Sequence, residues 1–315
     1  MSTPPPSAQG IPKTMQAVRL HAPGGPESLV FEKTRTPRPV RGEALVRVHA
    51  AAITRDELEW PTDRLPAIPS YEFSGEVVAV GPDASGVSVG DGVFALSGFD
   101  RDGGAADFVT VPALLLAPKP RTIDHVRSAA IPLAALSAWQ GLFDHGRLEP
   151  GQRVIIHGAA GGVGHFATQL ARWRGAYVVG SAAVANHKVI REFGADEVID
   201  YSSDFVESLD AVDLVFDTIG GEALKRSPAA LREGGRLVSV AERPPEVSPE
   251  AKVDAIYFVV EPNRDQLLEV SRLVDSGEVR PAIDSVFPLA NARAAFERSL
   301  TTGKHGKVVL IVVDE

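Results

Sequence analysis

The sequence predicts an α/β chain in two parts, a mostly β first half followed by a doubly wound parallel sheet. Three observations carry that prediction. From Met15 to about Lys119, short β-like runs are punctuated by Gly and Pro. After Pro120, fully apolar β-branched runs recur about twenty residues apart with helical spacing between them, as parallel strands buried on both faces do. At Ile155–His165 the stretch IIHGAAGGVGH strips the chain of side chains between a strand and a helix.

Composition bounds the answer. With 315 residues, 44% hydrophobic and 23% charged, the chain suits two domains of an ordinary soluble protein. A net charge of -9 argues against nucleic acid or an anionic membrane as partner, because phosphate binding relies on clustered Lys and Arg. Zero cysteines excludes disulfides, thiol nucleophiles and every zinc site built on thiolate. The opening MSTPPPSAQGIPKT, rich in Pro and without an apolar core, reads as a loose tail over residues 1–14, and no apolar run is long enough to span a membrane. The expected location is cytoplasmic.

In order along the chain, strands are predicted at Ala17–Leu20, Leu29–Glu32, Ala44–Ala51, Ser74–Val80 and Asp107–Val111, separated by turns such as Gly81-Pro82-Asp83 and Gly90-Asp91-Gly92. Ser128–Phe143 reads as helix. Apolar strands follow at Val154–Ile156, Tyr177–Val179, Val198–Ile199, Val212–Phe216, Leu237–Val240 and Ile256–Val260. Two helices, Asp265–Val274 and Ala292–Leu300, and two strands, Ile283–Phe287 and Val308–Val313, complete the chain. Periodicity alone does not assign this last part to either half.

The glycine stretch follows a strand and opens a helix whose Val163, Phe166, Ala167, Leu170 and Ala171 recur with helical spacing. In a dinucleotide-binding unit such glycines allow the turn, backbone approach to a pyrophosphate and close helix packing. Here the pattern is Ala159-x-Gly161-x-x-Gly164, with alanine in the first glycine's place, and a tight turn without ligand is the bland alternative. A ribose-binding carboxylate would be expected near the end of the next strand. Ser181 stands there instead, and no Asp or Glu occurs between His165 and Arg191. A hydroxyl, an amide and nearby cations suit a 2′-phosphate, so the cofactor reading is NADPH over NADH.

The motifs HGAAGGVGHFATQLA, GADEVIDY and VFDTIGG resemble the medium-chain dehydrogenase/reductase superfamily, in its zinc-free quinone oxidoreductase branch. YEFSGEVVAVG, LAALSAWQGLFDHG, VEPN and GKVVL extend the likeness over nearly the whole chain after Met15. The resemblance implies a GroES-like β-rich catalytic domain over residues 15–122 and 283–315, and a Rossmann NADP-binding domain over 123–282. It also implies a homodimer, with Ile256–Val260 as candidate edge strand. The zinc-dependent relatives bind catalytic metal through Cys, His and Cys. Here Thr54 falls at the first Cys and Tyr71 at the His, so no metal site is expected.

Without metal, hydride delivery suits conjugated carbonyls and quinones, whose enolate or hydroquinone anion a hydroxyl or N–H can stabilise. Tyr71, Ser137 and Thr54 are the candidate catalytic residues. A packing role for Tyr71, and a hydrogen bond from Ser137 to its own i−4 carbonyl, are the alternatives. Arg55 and Asp56 could orient substrate or form a surface pair. His157 and His165 are assigned to packing or helix-end roles. For the cofactor, the resemblance points to Ala160, Gly161, Gly162, Val163 and Gly164 at the pyrophosphate, and to Ser181, Asn186, Lys188 and Tyr201 around the 2′-phosphate. It places Thr218 and Val240 along the nucleotide, and Phe258, Val259 and Val260 at the carboxamide. Two other functions stay open: an enoyl-thioester or ketide reductase, and a non-catalytic NADPH-binding protein whose pocket has changed around Glu57, Glu59 and Trp60.

Overall fold

The structure, a computed structural model, describes residues 10–60, 62–201, 206, 209–246 and 252–313. Of the expected tail, residues 1–9 lie outside the described residues. The remainder is tied down: Ile11 packs against a buried cluster, and Thr14 already opens the first strand.

The first half is β throughout. Strands β1 (Thr14–Leu20) and β2 (Leu29–Arg35) form an antiparallel pair. Then come β3 (Glu43–Ile53), β4 (Glu72–Val80), β5 (Gly92–Leu96), β6 (Phe108–Pro112) and β7 (Ala117–Pro118). Strand β5 was not predicted. Its VFAL run is apolar without alternation because β5 lies inside a sheet, between β4 and β7, and is buried on both faces.

The predicted helix Ser128–Phe143 is broken. Helix α1 (His125–Ala129), capped by Asp124 Oδ1 on the Arg127 N–H at 2.7 Å, ends before α2 (Pro132–Trp139). Pro132 has no N–H to continue a helix but suits a first turn, so the chain restarts there. A π-type turn over Gln140–His145 continues α2.

The second half alternates strand and helix. Its members are β8 (Arg153–His157), α3 (Gly164–Trp173), β9 (Tyr177–Ala182), α4 (His187–Glu192), β10 (Glu197–Asp200), β11 (Val212–Asp217), α5 (Gly221–Arg226), β12 (Leu231–Ser239) and β13 (Asp254–Tyr257). The six strands are parallel in the order β10-β9-β8-β11-β12-β13. The order reverses direction between β8 and β11, which places the switch-point crevice beside the glycine stretch. Strand β13 is shorter than the predicted Ile256–Val260. Its partner β12 ends at Ser239, opposite Tyr257, so the ladder runs out and Phe258–Val260 lie beyond it.

After α6 (Arg264–Asp275), strand β14 (Ile283–Pro288), α7 (Ala292–Leu300) and β15 (Lys307–Ile311) return to the first sheet, where β15 pairs antiparallel with β3. That sheet runs β14-β15-β3-β4-β5-β7, with β6 also on β3. This long-range pairing brings the C-terminal strand against the first half and, as shown next, against the glycine turn.

Candidate active site

The turn after β8 is built on Gly158, which adopts φ +73°. A Cβ there would stand 2.5 Å from Thr218 Oγ1, so this glycine, and not the position of Ala159, makes the bend. Ala159 is fully buried, and its methyl faces Gly180, whose missing side chain leaves the room. The alanine that weakened the sequence pattern is thus a packing residue. The Ser181 carbonyl accepts from the Gly158 and Ala159 N–H groups at 3.0 and 3.1 Å. At the third glycine, a Cβ on Gly164 would lie 2.0 Å from the Gly158 oxygen, which forces helix and turn together. Gly162 and Val163 precede Gly164, which opens α3, and the first N–H groups of a helix have no helical acceptor.

Two buried histidines flank this turn. His165 Nε2 accepts from the Ala282 N–H at 3.1 Å, so its proton sits on Nδ1, which donates to Gly161 O at 2.9 Å. His157 lies 3.0 Å from Ser227 Oγ. Burial pushes both imidazoles down to about 4, so both are neutral at ordinary pH.

A buried ion pair inside the β-rich sheet lies against the turn. Lys307, opening β15, forms an ion pair with Glu72, opening β4, at 2.5 Å, with side-chain exposures of 5% and 1%. Glu72 also accepts the Leu133 N–H of α2 at 2.9 Å, and the Gly306 N–H bonds Ala160 O at 2.9 Å. A Cβ on Gly162 would stand 2.9 Å from Lys307 Cδ, so the Lys307 stem lies directly on the glycine turn. Lys304 is close by: burial, then Lys307 and Arg55, push its ammonium down to about 8. With Lys307 already paired to Glu72, Lys304 adds positive charge close to the helix N-terminus, which fits a diphosphate. None of Lys304, Lys307 or Glu72 was singled out from sequence. The signal was present as a charge opening each strand, Glu72 in EFSGEVVAV and Lys307 in KVVLI.

Glu57 was missed as a structural centre and noted only as unusual. It is buried, and its carboxyl takes the Thr54 N–H on Oε2 at 3.3 Å and the Ser70 N–H on Oε1 at 3.1 Å. It therefore clamps together the two segments that carry Thr54 and Tyr71. Burial pushes its carboxyl up to about 8, against the opposing pull of Lys307. The Thr54 and Ser70 hydroxyls are buried with no hydrogen-bond partner.

Tyr71 is 7% exposed and belongs to an aromatic group with Trp60 and Phe99. Burial, then Glu57, push its hydroxyl up, while the Arg64 guanidinium beside it pulls the other way. The Ser137 hydroxyl donates to Leu133 O at 2.8 Å, the i−4 bond weighed as its alternative role.

Of the remaining cofactor positions, Ser181 is fully buried and its hydroxyl is enclosed, so its carbonyl, not its side chain, serves the turn. Asn186 is half-buried, Lys188 exposed, and Tyr201 45% exposed with Arg226 bonded to its carbonyl at 3.0 Å. Thr218 Oγ1 donates to His157 O at 2.7 Å beside the bend. Val240, half-buried, follows β12. Phe258 and Val260 are buried and Val259 is exposed. Gln140 fixes their segment by bonding both the N–H and the carbonyl of Glu261, at 3.0 and 2.8 Å. Among the described residues no group of three His, Cys, Asp or Glu could hold a metal, and no helix is long and apolar enough to cross a membrane.

Residues 40–121 match the alcohol dehydrogenase GroES-like domain family and residues 193–310 the zinc-binding dehydrogenase family. The chain is 32% identical to the "Probable zinc-binding oxidoreductase, mitochondrial" of Arthroderma benhamiae, over 98% of this chain and 99% of that one. It is 32% identical to the chloroplastic NADPH-dependent alkenal/one oxidoreductase of Arabidopsis thaliana, over 95% and 80% of the two chains. Its fold matches the solved quinone oxidoreductase from Coxiella burnetii with a TM-score of 0.88 at 30% identity, covering 96% of this chain and all of that one.

Proposed function

Because the chain belongs to the medium-chain dehydrogenase/reductase superfamily, we propose that it is a zinc-independent NADPH-dependent reductase of quinones and α,β-unsaturated carbonyl compounds. Membership makes it an oxidoreductase that uses a nicotinamide cofactor. The finer reading rests on the chain's own side chains.

The observation that carries it is the Thr54 hydroxyl, buried without a hydrogen-bond partner on a segment clamped by Glu57 to Tyr71. A buried polar group left unpaired costs about 1–3 kcal/mol, a cost removed when a substrate oxygen accepts from it. Thr54 and Tyr71 supply hydroxyls where a metal-dependent relative would supply ligands. Hydroxyls suit an enolate or a hydroquinone anion, in which the charge is already spread over several atoms.

In this mechanism, the start of α3 with Lys304 and Lys307 holds the diphosphate. Asn186, Lys188 and Tyr201 surround the 2′-phosphate, Thr218 and Val240 flank the nucleotide, and Phe258–Val260 meet the carboxamide. The bound cofactor supplies a hydride from its nicotinamide ring. Thr54 donates a hydrogen bond to the acceptor oxygen, Tyr71 gives its pocket a buried aromatic wall, and Glu57 holds the Thr54 segment in place. Solvent completes protonation. The absence of any carboxylate between His165 and Arg191 supports NADPH over NADH. The position of β13 at the open edge of its sheet supports a homodimer joined there.

The test mixes purified protein with NADPH or NADH and a panel of quinones, alkyl enones, enoyl-CoA esters and aldehydes, before and after dialysis against a chelator. The expected result is loss of nicotinamide absorbance with quinones and enones, faster with NADPH and unchanged by the chelator. Binding of NADPH without turnover on any acceptor would refute the enzymatic reading. Turnover confined to enoyl-CoA esters would replace it with the thioester alternative.

A further inference from the structure

Resting on that reading, we infer that Trp60 selects the acceptor, favouring planar conjugated rings over acyclic enals by offering its indole as a stacking surface. Trp60 lies nearly parallel to Tyr71, with ring centroids 5.9 Å apart at 18°. Phe99 meets both rings edge-on, at 5.0 Å and 80° to Trp60 and at 5.2 Å and 82° to Tyr71. One edge-on ring therefore sets the tilt of two parallel ones.

Through Tyr71 this group adjoins the proposed site. Trp60 and Phe99 pack on the buried cluster that contains Tyr71, Leu133 and Ala160, and Ala160 belongs to the glycine turn. Tyr71 precedes Glu72, which is joined to both Leu133 and Lys307. The Trp60 segment is fixed as well: its N–H bonds the Glu57 carbonyl at 3.4 Å, and Glu57 is clamped to Thr54 and Ser70. Arg64 closes the group by donating to Phe99 O at 3.3 Å and pairing with Asp102 at 3.7 Å.

Exposure decides which ring a ligand can use. Tyr71 is almost wholly covered, whereas Trp60 is only half-buried. A large ring already held in place stacks on a planar acceptor without ordering cost, and a pair of rings gains from their opposed quadrupoles as well as from buried area. An acyclic enal has too little π-surface to share that gain. The other tryptophans, Trp139 and Trp173, pack with each other and with Phe143 and form no part of this group.

The test compares kcat/KM for 1,4-naphthoquinone and for trans-2-hexenal in the wild type, Trp60→Leu and Trp60→Phe. Leucine keeps apolar bulk without a π-face. The naphthoquinone value should fall about five- to tenfold in Trp60→Leu, with the hexenal value within about twofold of wild type and most of the loss restored in Trp60→Phe. Equal losses on both acceptors, or none on either, would overturn the inference. If the wild type reduces neither acceptor, the proposed reaction fails, but stacking is still decided. Calorimetric titration of 1-naphthol into the NADP+-loaded proteins should then show about five- to tenfold weaker binding to Trp60→Leu. Equal affinity would overturn it.

Discussion

Replacing Lys307 by Met cuts the buried ion pair that ties β15 to β4 and lies on the glycine turn. With Lys307 and Glu72 exposed by only 5% and 1%, neither charge can turn to water when its partner is removed. Glu72 would keep one hydrogen bond, from the Leu133 N–H at 2.9 Å, and the second buried acid, Glu57, would remain nearby. Breaking such a pair from one side costs about 3–5 kcal/mol, most of it the desolvation of the charge left behind. The same range is expected for Glu72→Gln. The double variant carries no buried charge at either position, so it should lose less than the two single losses combined, with a coupling of about 2 kcal/mol or more. Urea unfolding of all four proteins, followed by circular dichroism and tryptophan emission, measures the cycle. A Lys307→Met loss below about 1 kcal/mol, or strictly additive losses, would refute the account of the pair as a buried tie between β15 and β4.

Glu57, raised to about 8 from 4.5, binds its proton more tightly folded than unfolded, so its contribution to stability is full below pH 4.5 and is lost as pH rises toward 8. Melting wild type and Glu57→Gln across pH 5 to 8 should show the variant gaining on wild type as pH rises, and parallel curves would exclude the shift. His157 and His165 work in the opposite direction: lowered to about 4 from 6.5, they leave stability intact above pH 6.5 and remove it as pH falls toward 4. His165→Gln should flatten part of that acid slope while losing about 1–3 kcal/mol at pH 8, read by the same melts. Gly164→Ala, with a Cβ 2.0 Å from Gly158 O, should separate helix from turn and weaken NADPH binding by at least about tenfold in calorimetry. Ser137→Ala should leave kcat within about twofold, because its hydroxyl is engaged with Leu133 O.

Much of this architecture could be read along the chain. The alternation of apolar strands with helical spacing identified the parallel sheet, because the periodicity of a strand or helix is set by its own backbone geometry. The glycine turn, the helix after it and the β-rich first half were visible for the same reason: turn chemistry acts over a few neighbouring residues. Errors fell where neighbours in space overruled neighbours in sequence. Strand β5 lacks alternation because it is covered on both faces, and β13 stops early because its partner does. Ser181 was placed at the right strand end, but the pleat turned its hydroxyl inward and left only its carbonyl to the turn.

The site divides along the same line. The resemblance to zinc-dependent relatives placed Thr54 and Tyr71 where those relatives carry Cys and His, and the residues themselves showed that IIHGAAGGVGH bares its backbone. Tertiary contact decided that Gly158 makes the bend, that Ala159 fits because Gly180 has no side chain, and that Glu57 holds the hydroxyl-bearing segments together. It also brought Lys307 from the far end of the chain to Glu72. Such a pair has no local signature beyond a charge at the start of each strand, since its energy arises only when folding removes both ends from water.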